Sequence, residues 1–244
     1  MPTTRRDILR SGIGLAAILT AGQAPAVLVK SMPAASKMKI EDDPGHYRNQ
    51  IEYIESSTGE QYIELEFIAT DQISFSCEIT RPNNNTRWDM GAETDYSNNI
   101  ARLIIQEQAS CHWRYGAYSP IVTNVSYSGN LTGRIKFDVN KDKCDCINLS
   151  SGKSYSFKST GTRPFYTPCN FYVFGVGVVN QVSVSSLTKG MRLHSLDISD
   201  VGYSASLKPV IDHYNEPCLY DRISGQLIYN RGAGSFLAGP RVEG

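Results

Sequence analysis

The chain has no excess of charge of either sign. Lys and Arg together number 24, Asp and Glu together also number 24, and the formal net charge is zero. A protein that binds the nucleic acid backbone needs a basic surface, because Lys and Arg must neutralise its phosphates. The balance of charge therefore predicts that nucleic acid is not a partner.

The sequence also lacks helical periodicity. After residue 30 no stretch shows the 3.6-residue apolar period of a packed helix. Short alternating runs take its place, beginning with residues 63–67, and alternation of this kind places one face of a strand in the core. Similar runs separated by polar turns predict an all-β fold, specifically a two-sheet antiparallel β-sandwich.

Three of these runs allow more specific expectations. Residues 73–79 repeat the alternation after a short turn, so we expect them to pair with residues 63–67 as an antiparallel neighbour. Residues 170–180 are apolar at successive positions and are predicted to form a central strand covered on both faces. Residues 191–198 form a further strand, with Leu193 expected on one face and Leu196 and Ile198 on the other.

The N-terminus differs from the rest of the chain. Arg5 and Arg6 precede a short apolar stretch, and Ala24-Pro25-Ala26 follows it. A positive head, an apolar middle and an A-x-A exit are the parts of an export signal. The paired arginines resemble a twin-arginine signal. We therefore expect residues 1–26 to be cleaved after Ala26, which predicts a periplasmic or secreted protein.

The alternative interpretation of residues 1–26 is an uncleaved helical arm that docks on a protein partner. The apolar stretch is too short for a convincing membrane span. Residues 27–50 show no apolar period and are predicted to be a linker. The sandwich domain is then expected to comprise residues 51–240.

Close pairs of metal-binding residues are scarce. The chain has six Cys and four His, but only Cys144 and Cys146 form a close pair, whereas a zinc site needs C-x₂-C or nearby His spacing. We expect no metal and no cofactor. Six cysteines in an exported chain permit up to three disulfides in several pairings, and the alternative is buried free thiols.

Tryptophan occurs only twice, beside 14 Tyr. Residues 81–99, around Trp88, are rich in Asn, Asp and Gly and are predicted to form a long loop, where binding sites are common. Residues 111–118 place aromatic rings beside hydrogen-bonding groups, which suits the apolar face of a sugar ring. The alternative is that these aromatics pack between the sheets. The candidate ligand-binding residues are Trp88, His112, Trp113, Arg114, Tyr115 and Tyr118.

Residues for acid–base or nucleophilic catalysis are also sparse. Glu64 and Glu66 come closest to a glycosidase pair, which needs two carboxylates about 5–10 Å apart with one of them buried. An exposed strand face explains the same two residues without chemistry. His194 and Ser195 are adjacent on a strand and therefore point to opposite faces, so they do not form a catalytic pair. We predict no catalytic residues and no enzyme activity.

Two stretches carry a family resemblance. Residues 51–63 (IEYIESSTGEQYI) and residues 217–230 (PCLYDRISGQLIYN) resemble the two ends of a concanavalin A-like, or laminin G-like, jelly roll of gut bacteria and their phages. In that family the first stretch opens the domain and the second forms a hairpin after the last strands. The resemblance spans residues 51–239 and implies a jelly-roll sandwich with a tendency to bind glycans.

These features predict an exported, non-enzymatic recognition module that binds carbohydrate, as a lectin does, on a cell surface or in the gut lumen. One alternative is a structural or adhesive subunit of a phage particle or cell envelope, held by the N-terminal arm and therefore associated with a virion. A second alternative is a glycoside hydrolase that uses Glu64.

Overall fold

The computed structural model describes residues 45–83, 88–93, 100–106, 110–116, 125–128, 131–159, 164–178, 181–183 and 188–243. Within these ranges the chain folds into β-strands and contains no α-helix. The first ten strands are β1 (Asn49–Gln50), β2 (Ile54–Glu55), β3 (Ile63–Thr70), β4 (Ser74–Arg81), β5 (Trp88–Glu93), β6 (Ile100–Gln106), β7 (Ser110–Gly116), β8 (Val125–Ser128), β9 (Gly133–Asn140) and β10 (Lys143–Asn148). They are followed by β11 (Ser154–Lys158), β12 (Tyr166–Val173), β13 (Gly175–Val178), β14 (Gln181–Ser183), β15 (Arg192–Asp200), β16 (Tyr203–Ile211), β17 (Pro217–Asp221), β18 (Leu227–Ile228) and β19 (Leu237–Ala238).

The strands form two sheets. The large sheet has the order β11-β10-β9-β4-β15-β16-β17-β18, with β1 beside β16, β2 beside β15 and β19 beside β2. The small sheet has the order β14-β13-β5-β6-β7-β8, and β12 pairs with both β5 and β3. The described pairings are antiparallel except that of β13 with β5, which is parallel. The predicted all-β, two-sheet antiparallel sandwich is confirmed, in an arrangement compatible with a jelly roll.

One hydrophobic core lies between the two sheets. Leu65 and Phe67 enter it from the small sheet, and Phe75, Phe137 and Leu196 enter it from the large sheet. Buried and more exposed residues alternate along β3 and β4, as the sequence pattern predicts. Burial of these apolar faces against each other is what holds two such sheets together.

The expected pairing of β3 with β4 is wrong. The two strands follow each other in the chain but belong to different sheets, because the turn after Thr70 carries the chain across the core. β4 pairs with β9 and β15, whereas β3 pairs with β12. An alternating pattern specifies which face of a strand is buried but not which strand lies beside it.

The predicted central strand over residues 170–180 is interrupted. Phe174 adopts a φ of 63°, a region that bulky residues rarely occupy, and it separates β12 from β13. The expected burial on both faces is confirmed on either side of this break, since Phe171, Tyr172 and Val176 are all buried.

The expected division of faces along β15 is also wrong. A register shift between Leu193 and Ser195 changes the alternation, so Leu193, Leu196 and Ile198 all lie in the core. Such β-bulges insert one extra residue into a strand. His194, at the bulge, is buried as well.

The domain begins earlier than residue 51. Tyr47 is buried, and Asn49 and Gln50 pair with Ile211 and Val210 of β16. The last residues of the predicted linker are therefore part of the large sheet, because an edge strand of only two residues leaves little apolar pattern in a sequence. Residues 1–44 lie outside the described ranges.

The predicted closing hairpin is present. β17 and β18 pair with Leu219 opposite Ile228, at one edge of the large sheet. The buried carboxylate of Asp221 accepts hydrogen bonds from the backbone N–H of Ser206 (2.9 Å) and from the Ser224 hydroxyl (2.6 Å). The Asp and Ser of the 217–230 motif thus hold the turn of this hairpin.

Candidate functional site

Two of the predicted ligand-binding residues are core residues. Trp113 and Tyr115 lie on β7 and are only 1% and 4% exposed. The Trp113 ring packs edge-on against Phe75, with ring centroids 6.3 Å apart, and its Nε1 donates to the backbone carbonyl of Asp142. The Tyr115 hydroxyl donates to the carbonyl of Asp71. The prediction that these rings form a sugar-binding platform is therefore wrong, and the alternative of packing between the sheets is correct.

The other predicted ligand-binding residues are located only in part. Trp88 begins strand β5, so the predicted loop over residues 81–99 contains a strand. His112 and Arg114 lie on β7, opposite Ile104 and Arg102 of β6. Tyr118 lies outside the described residues, and so do the signal residues Arg5, Arg6, Ala24 and Ala26.

The outer face of the large sheet carries two adjoining depressions of about 570 and 420 Å³ that share Asp138 and Asp145. We call this surface the polar trough. Its outward-facing polar residues come from six neighbouring strands of the large sheet. They are Ser154 and Ser156 on β11, Asp145 on β10, Asp138 and Asn140 on β9, Ser74 and Ser76 on β4, Asp197 and Ser199 on β15, and Ser204 and Ser206 on β16.

The strand register arranges these side chains in rows. One row crosses five strands in direct register, in the order Asp145, Asp138, Ser76, Asp197 and Ser206. Neighbouring strands lie about 4.8 Å apart, so this row is about 19 Å long. The trough is therefore an elongated surface that runs perpendicular to the strands.

A second row lies beside the first and contains Asn140, Ser74, Ser199 and Ser204. Ser74 Oγ and Ser199 Oγ are 2.9 Å apart, within hydrogen-bonding distance of each other. In the first row, the Ser206 hydroxyl donates to Asp197 Oδ1 at 2.7 Å. Hydrogen bonds between neighbouring strands thus orient the polar groups of both rows.

The composition of the trough is unusual for a sheet. Except for Ile147 on β10, its outward-facing strand residues are short and polar rather than the β-branched and aromatic residues that strands favour, and Asp and Asn are depleted from strands. These short side chains leave the depression open, whereas larger ones would fill it. Natural proteins depart from local structural preference mainly at functional sites, so the composition marks this face as a candidate site.

The charges of the trough are arranged in pairs. Asp138 and Asp145 face each other across neighbouring strands, an arrangement that repulsion between like charges disfavours. Lys136 Nζ lies 3.1 Å from Asp138, and Lys143 Nζ lies 2.7 Å from Asp145. Hydrogen bonds from Lys143 and Ser156 lower the pKa of Asp145, which keeps it ionised near neutral pH. The face therefore offers carboxylate acceptors, hydroxyl groups and ammonium donors together.

A second cavity, of about 600 Å³, lies between β3 at the edge of the small sheet and the closing hairpin. We call it the hairpin cleft. Asn230 Oδ1, in its lining, accepts the backbone N–H of Tyr62, and Asp200 Oδ2 accepts that of Thr70, the last residue of β3. The polar and aromatic side chains that line it include Glu64, Glu66, Tyr203, Ser204, Asp221, Ser224, Gln226, Tyr229, Asn230 and Arg231.

Tyrosines form part of the lining of the cleft. The ring of Tyr203 stacks on Phe67, with centroids 4.1 Å apart, while Tyr229 is 40% exposed. The Tyr229 hydroxyl donates to Asp212 Oδ2 at 3.0 Å. Burial and this hydrogen bond raise the pKa of Tyr229 to about 12. The hydroxyl is therefore protonated at ordinary pH.

The two glutamates that resemble a glycosidase pair differ in their surroundings. Glu64 Oε1 accepts hydrogen bonds from Asn170 Nδ2 (2.8 Å) and the Tyr172 hydroxyl (3.0 Å). The Glu66 side chain is 78% exposed and lies 3.5 Å from Arg231. A glycosidase acid is normally buried in apolar surroundings, which Glu66 does not have. This arrangement suits hydrogen bonding and charge recognition better than proton transfer.

The described residues also show no metal centre and no membrane-spanning helix. The described part of the chain contains no group of three or more His, Cys, Asp and Glu side chains placed to hold a metal ion. Its secondary structure also includes no helix that is long and apolar enough to cross a membrane. Within the described residues, the polar trough and the hairpin cleft are the candidate binding surfaces.

The fold and these two surfaces define a class: a two-sheet antiparallel β-sandwich with an elongated polar face and a separate cleft. Comparison with models of protein families, with curated proteins and with solved structures finds no match for this chain. The sequence-based prediction missed the trough because it rested on aromatic rings, and it identified only Glu64 and Glu66 of the residues that line the cleft. The available signal for the trough was the recurrence of Ser and Asp at the polar positions of successive alternating runs.

Proposed function

We propose that this protein is a non-enzymatic carbohydrate-recognition module of the concanavalin A-like jelly-roll type, and that it binds an extended glycan in the polar trough. The observation that carries the proposal is the row of Asp and Ser side chains in direct register across five strands. Hydroxyl, carboxylate and ammonium groups together match the donors and acceptors of successive sugar hydroxyls.

The shape and charge of the trough favour this ligand over others. Its length of about 19 Å along one row suits a chain of several sugar units, which would lie across the strands. Asp138, Asp145 and Asp197 would repel the phosphates of nucleic acid. A neutral polyhydroxylated chain does not meet that repulsion, and it can hydrogen-bond to both rows.

The test is to fill the trough with a residue that strands tolerate. Ser76→Tyr and Ser199→Tyr place a large side chain in the trough while raising β-propensity, so folding should be retained. Ile68→Tyr is the matched control, because Ile68 is an exposed strand residue on the other sheet. Binding of the full chain to a polysaccharide array is the measurement.

We expect the unaltered chain and Ile68→Tyr to bind the same glycans, and both trough variants to lose at least about tenfold in affinity. Near-ultraviolet circular dichroism checks that the variants remain folded. Equal binding by all four proteins would place the ligand elsewhere. An array without any bound glycan would overturn carbohydrate recognition itself.

We propose further that recognition takes place outside the cytoplasm. The support is the pattern of Arg5, Arg6 and the Ala24-Pro25-Ala26 exit. Intact-mass measurement of the protein from its native source should show the loss of residues 1–26. If those residues are retained, the alternative of a structural subunit, held by an uncleaved arm in a phage particle or cell envelope, is favoured instead.

A further inference from the structure

The hairpin cleft contains more negative than positive charge. Three carboxylates, those of Glu64, Glu66 and Asp221, line it together with the guanidinium of Arg231. Arg231 Nη2 lies 3.5 Å from Glu66 Oε1, so these two groups offset each other. The hydrogen bonds that Glu64 and Asp221 accept come from neutral donors: side-chain amide and hydroxyl groups and backbone N–H groups. The lining therefore has a formal surplus of two negative charges.

The environment of Tyr203 gives a second sign of this negative potential. Its ring packs on Phe67 within the cleft. Burial first, and then the charges of Asp221 and Glu66, raise the pKa of Tyr203 to about 12. The two carboxylates thus disfavour an additional negative charge at the Tyr203 hydroxyl, and they would favour a positive charge at the same place.

The size of the cleft limits what it can hold. Its volume of about 600 Å³ is within the range of small-ligand sites. The Asn230 side chain in its lining accepts the backbone N–H of Tyr62, which links the closing hairpin to the start of β3. A compact molecule fits a cavity of this volume better than an extended chain does.

The remaining polar and aromatic groups favour a ring that carries hydroxyls. Ser204 and Gln226 offer hydrogen-bonding side chains in the lining. The exposed part of Tyr229 offers a flat face, which attracts both the apolar face of a sugar ring and a cation. A simple alkylammonium ion would use the charge of the cleft but leave these hydrogen-bonding groups without ligand partners.

We propose that the hairpin cleft binds an amino sugar, with its ammonium group at Glu64 and Glu66 and its ring beside Tyr229. The site adjoins the polar trough at Ser204, which lines both, and the inference does not depend on a glycan binding in the trough. Arg231 competes with the ligand for Glu66, so its ion pair opens when the ammonium group enters.

The test is calorimetric titration of the full chain with the β-1,4-linked dimer of glucosamine and with its N-acetylated form. We expect the amine to bind about tenfold more tightly, because acetylation removes the charge that the carboxylates recognise. Added salt should weaken binding of the amine, since part of the site is exposed. Lysine amide, which carries ammonium groups without a sugar ring, should bind more weakly than the glucosamine dimer.

Three variants separate this proposal from a structural role of the same residues. Glu64→Gln keeps an acceptor for Asn170 and Tyr172, so the fold should persist while affinity for the amine falls about tenfold. Arg231→Gln should raise that affinity, because it frees Glu66. Ser76→Tyr, in the trough, should leave it unchanged.

Four results would count against the proposal. Equal affinity for the amine and its acetylated form, no binding of the amine, or weaker binding in Arg231→Gln would overturn it. Lysine amide that binds as tightly as the glucosamine dimer would overturn the sugar assignment. Loss of polysaccharide binding in Ser76→Tyr with the glucosamine dimer still bound would show that the two sites act separately.

Discussion

Asn230 Oδ1 accepts the backbone N–H of Tyr62 at 3.1 Å, although the two residues are 168 positions apart in the chain. The same oxygen accepts the N–H of Gly232, and the backbone N–H of Arg231 donates to the Tyr62 carbonyl. One amide side chain therefore joins the end of the closing hairpin to the start of β3. The two stretches that resemble one family meet at this point.

Asn230→Ala should destabilise the fold by about 1–3 kcal/mol, because it leaves partly buried N–H groups without their acceptor. Equilibrium unfolding in urea measures the change. Gln226→Ala is the control, since Gln226 is an exposed residue of the same hairpin. Similar losses in the two variants would contradict a specific role for Asn230.

Gly232→Ala should be more damaging than a change at an ordinary turn glycine. A Cβ at residue 232 would lie 1.9 Å from the carbonyl oxygen of Glu60, so the backbone must move. At Gly202, which has a φ of 73°, a Cβ meets no atom within 4 Å. Gly202→Ala should cost about 1–2 kcal/mol for the left-handed conformation, and thermal unfolding should show a clearly larger loss for Gly232→Ala.

Cys146 and Cys218 carry free, buried thiols, and burial raises the pKa of each to about 12. The thiolate is the reactive form, so iodoacetamide at pH 8 should leave both unmodified in the folded protein. Peptide mass spectrometry should find both alkylated once denaturant is added. Rapid labelling of either residue under native conditions would show that its strand opens readily.

His194 should make stability depend on pH. Its Nδ1 donates to the Glu52 carbonyl, and its Nε2 lies 2.7 Å from the Thr80 hydroxyl, which can donate to a neutral ring. Burial, and then the charge of Arg134, lower its pKa below the ordinary 6.5. The unfolded chain therefore takes up a proton at a higher pH than the folded chain does, and stability should fall as the pH drops below about 6.5.

His194→Gln tests this dependence, because glutamine can also donate to one of these partners and accept from the other but does not titrate. The slope of unfolding free energy against pH below 6.5 should become shallower in this variant. An unchanged slope would assign the acid sensitivity to other groups.

Part of the polar trough could be predicted from the sequence. The alternation at Ser74, Ser76, Asp197 and Ser199 marks these residues as outward-facing. It does not indicate that β4 and β15 are neighbours, because Ser76 and Asp197 are 121 positions apart and only strand pairing brings them together. The prediction of an aromatic binding surface was wrong for a related reason. The sequence around Trp113 has the same pattern whether its face of β7 points to solvent or to the core.

What the amino-acid sequence by itself determined is the class of fold and its closing hairpin, since period-two burial and turn residues act over a few neighbouring positions. Only the tertiary structure decided that β3 and β4 join different sheets and that the trough and the cleft exist. It also decided that the β-bulge after Leu193 places this residue in the core together with Leu196 and Ile198. These features depend on pairings between distant segments, and their free energy comes from contacts that no short stretch of sequence contains.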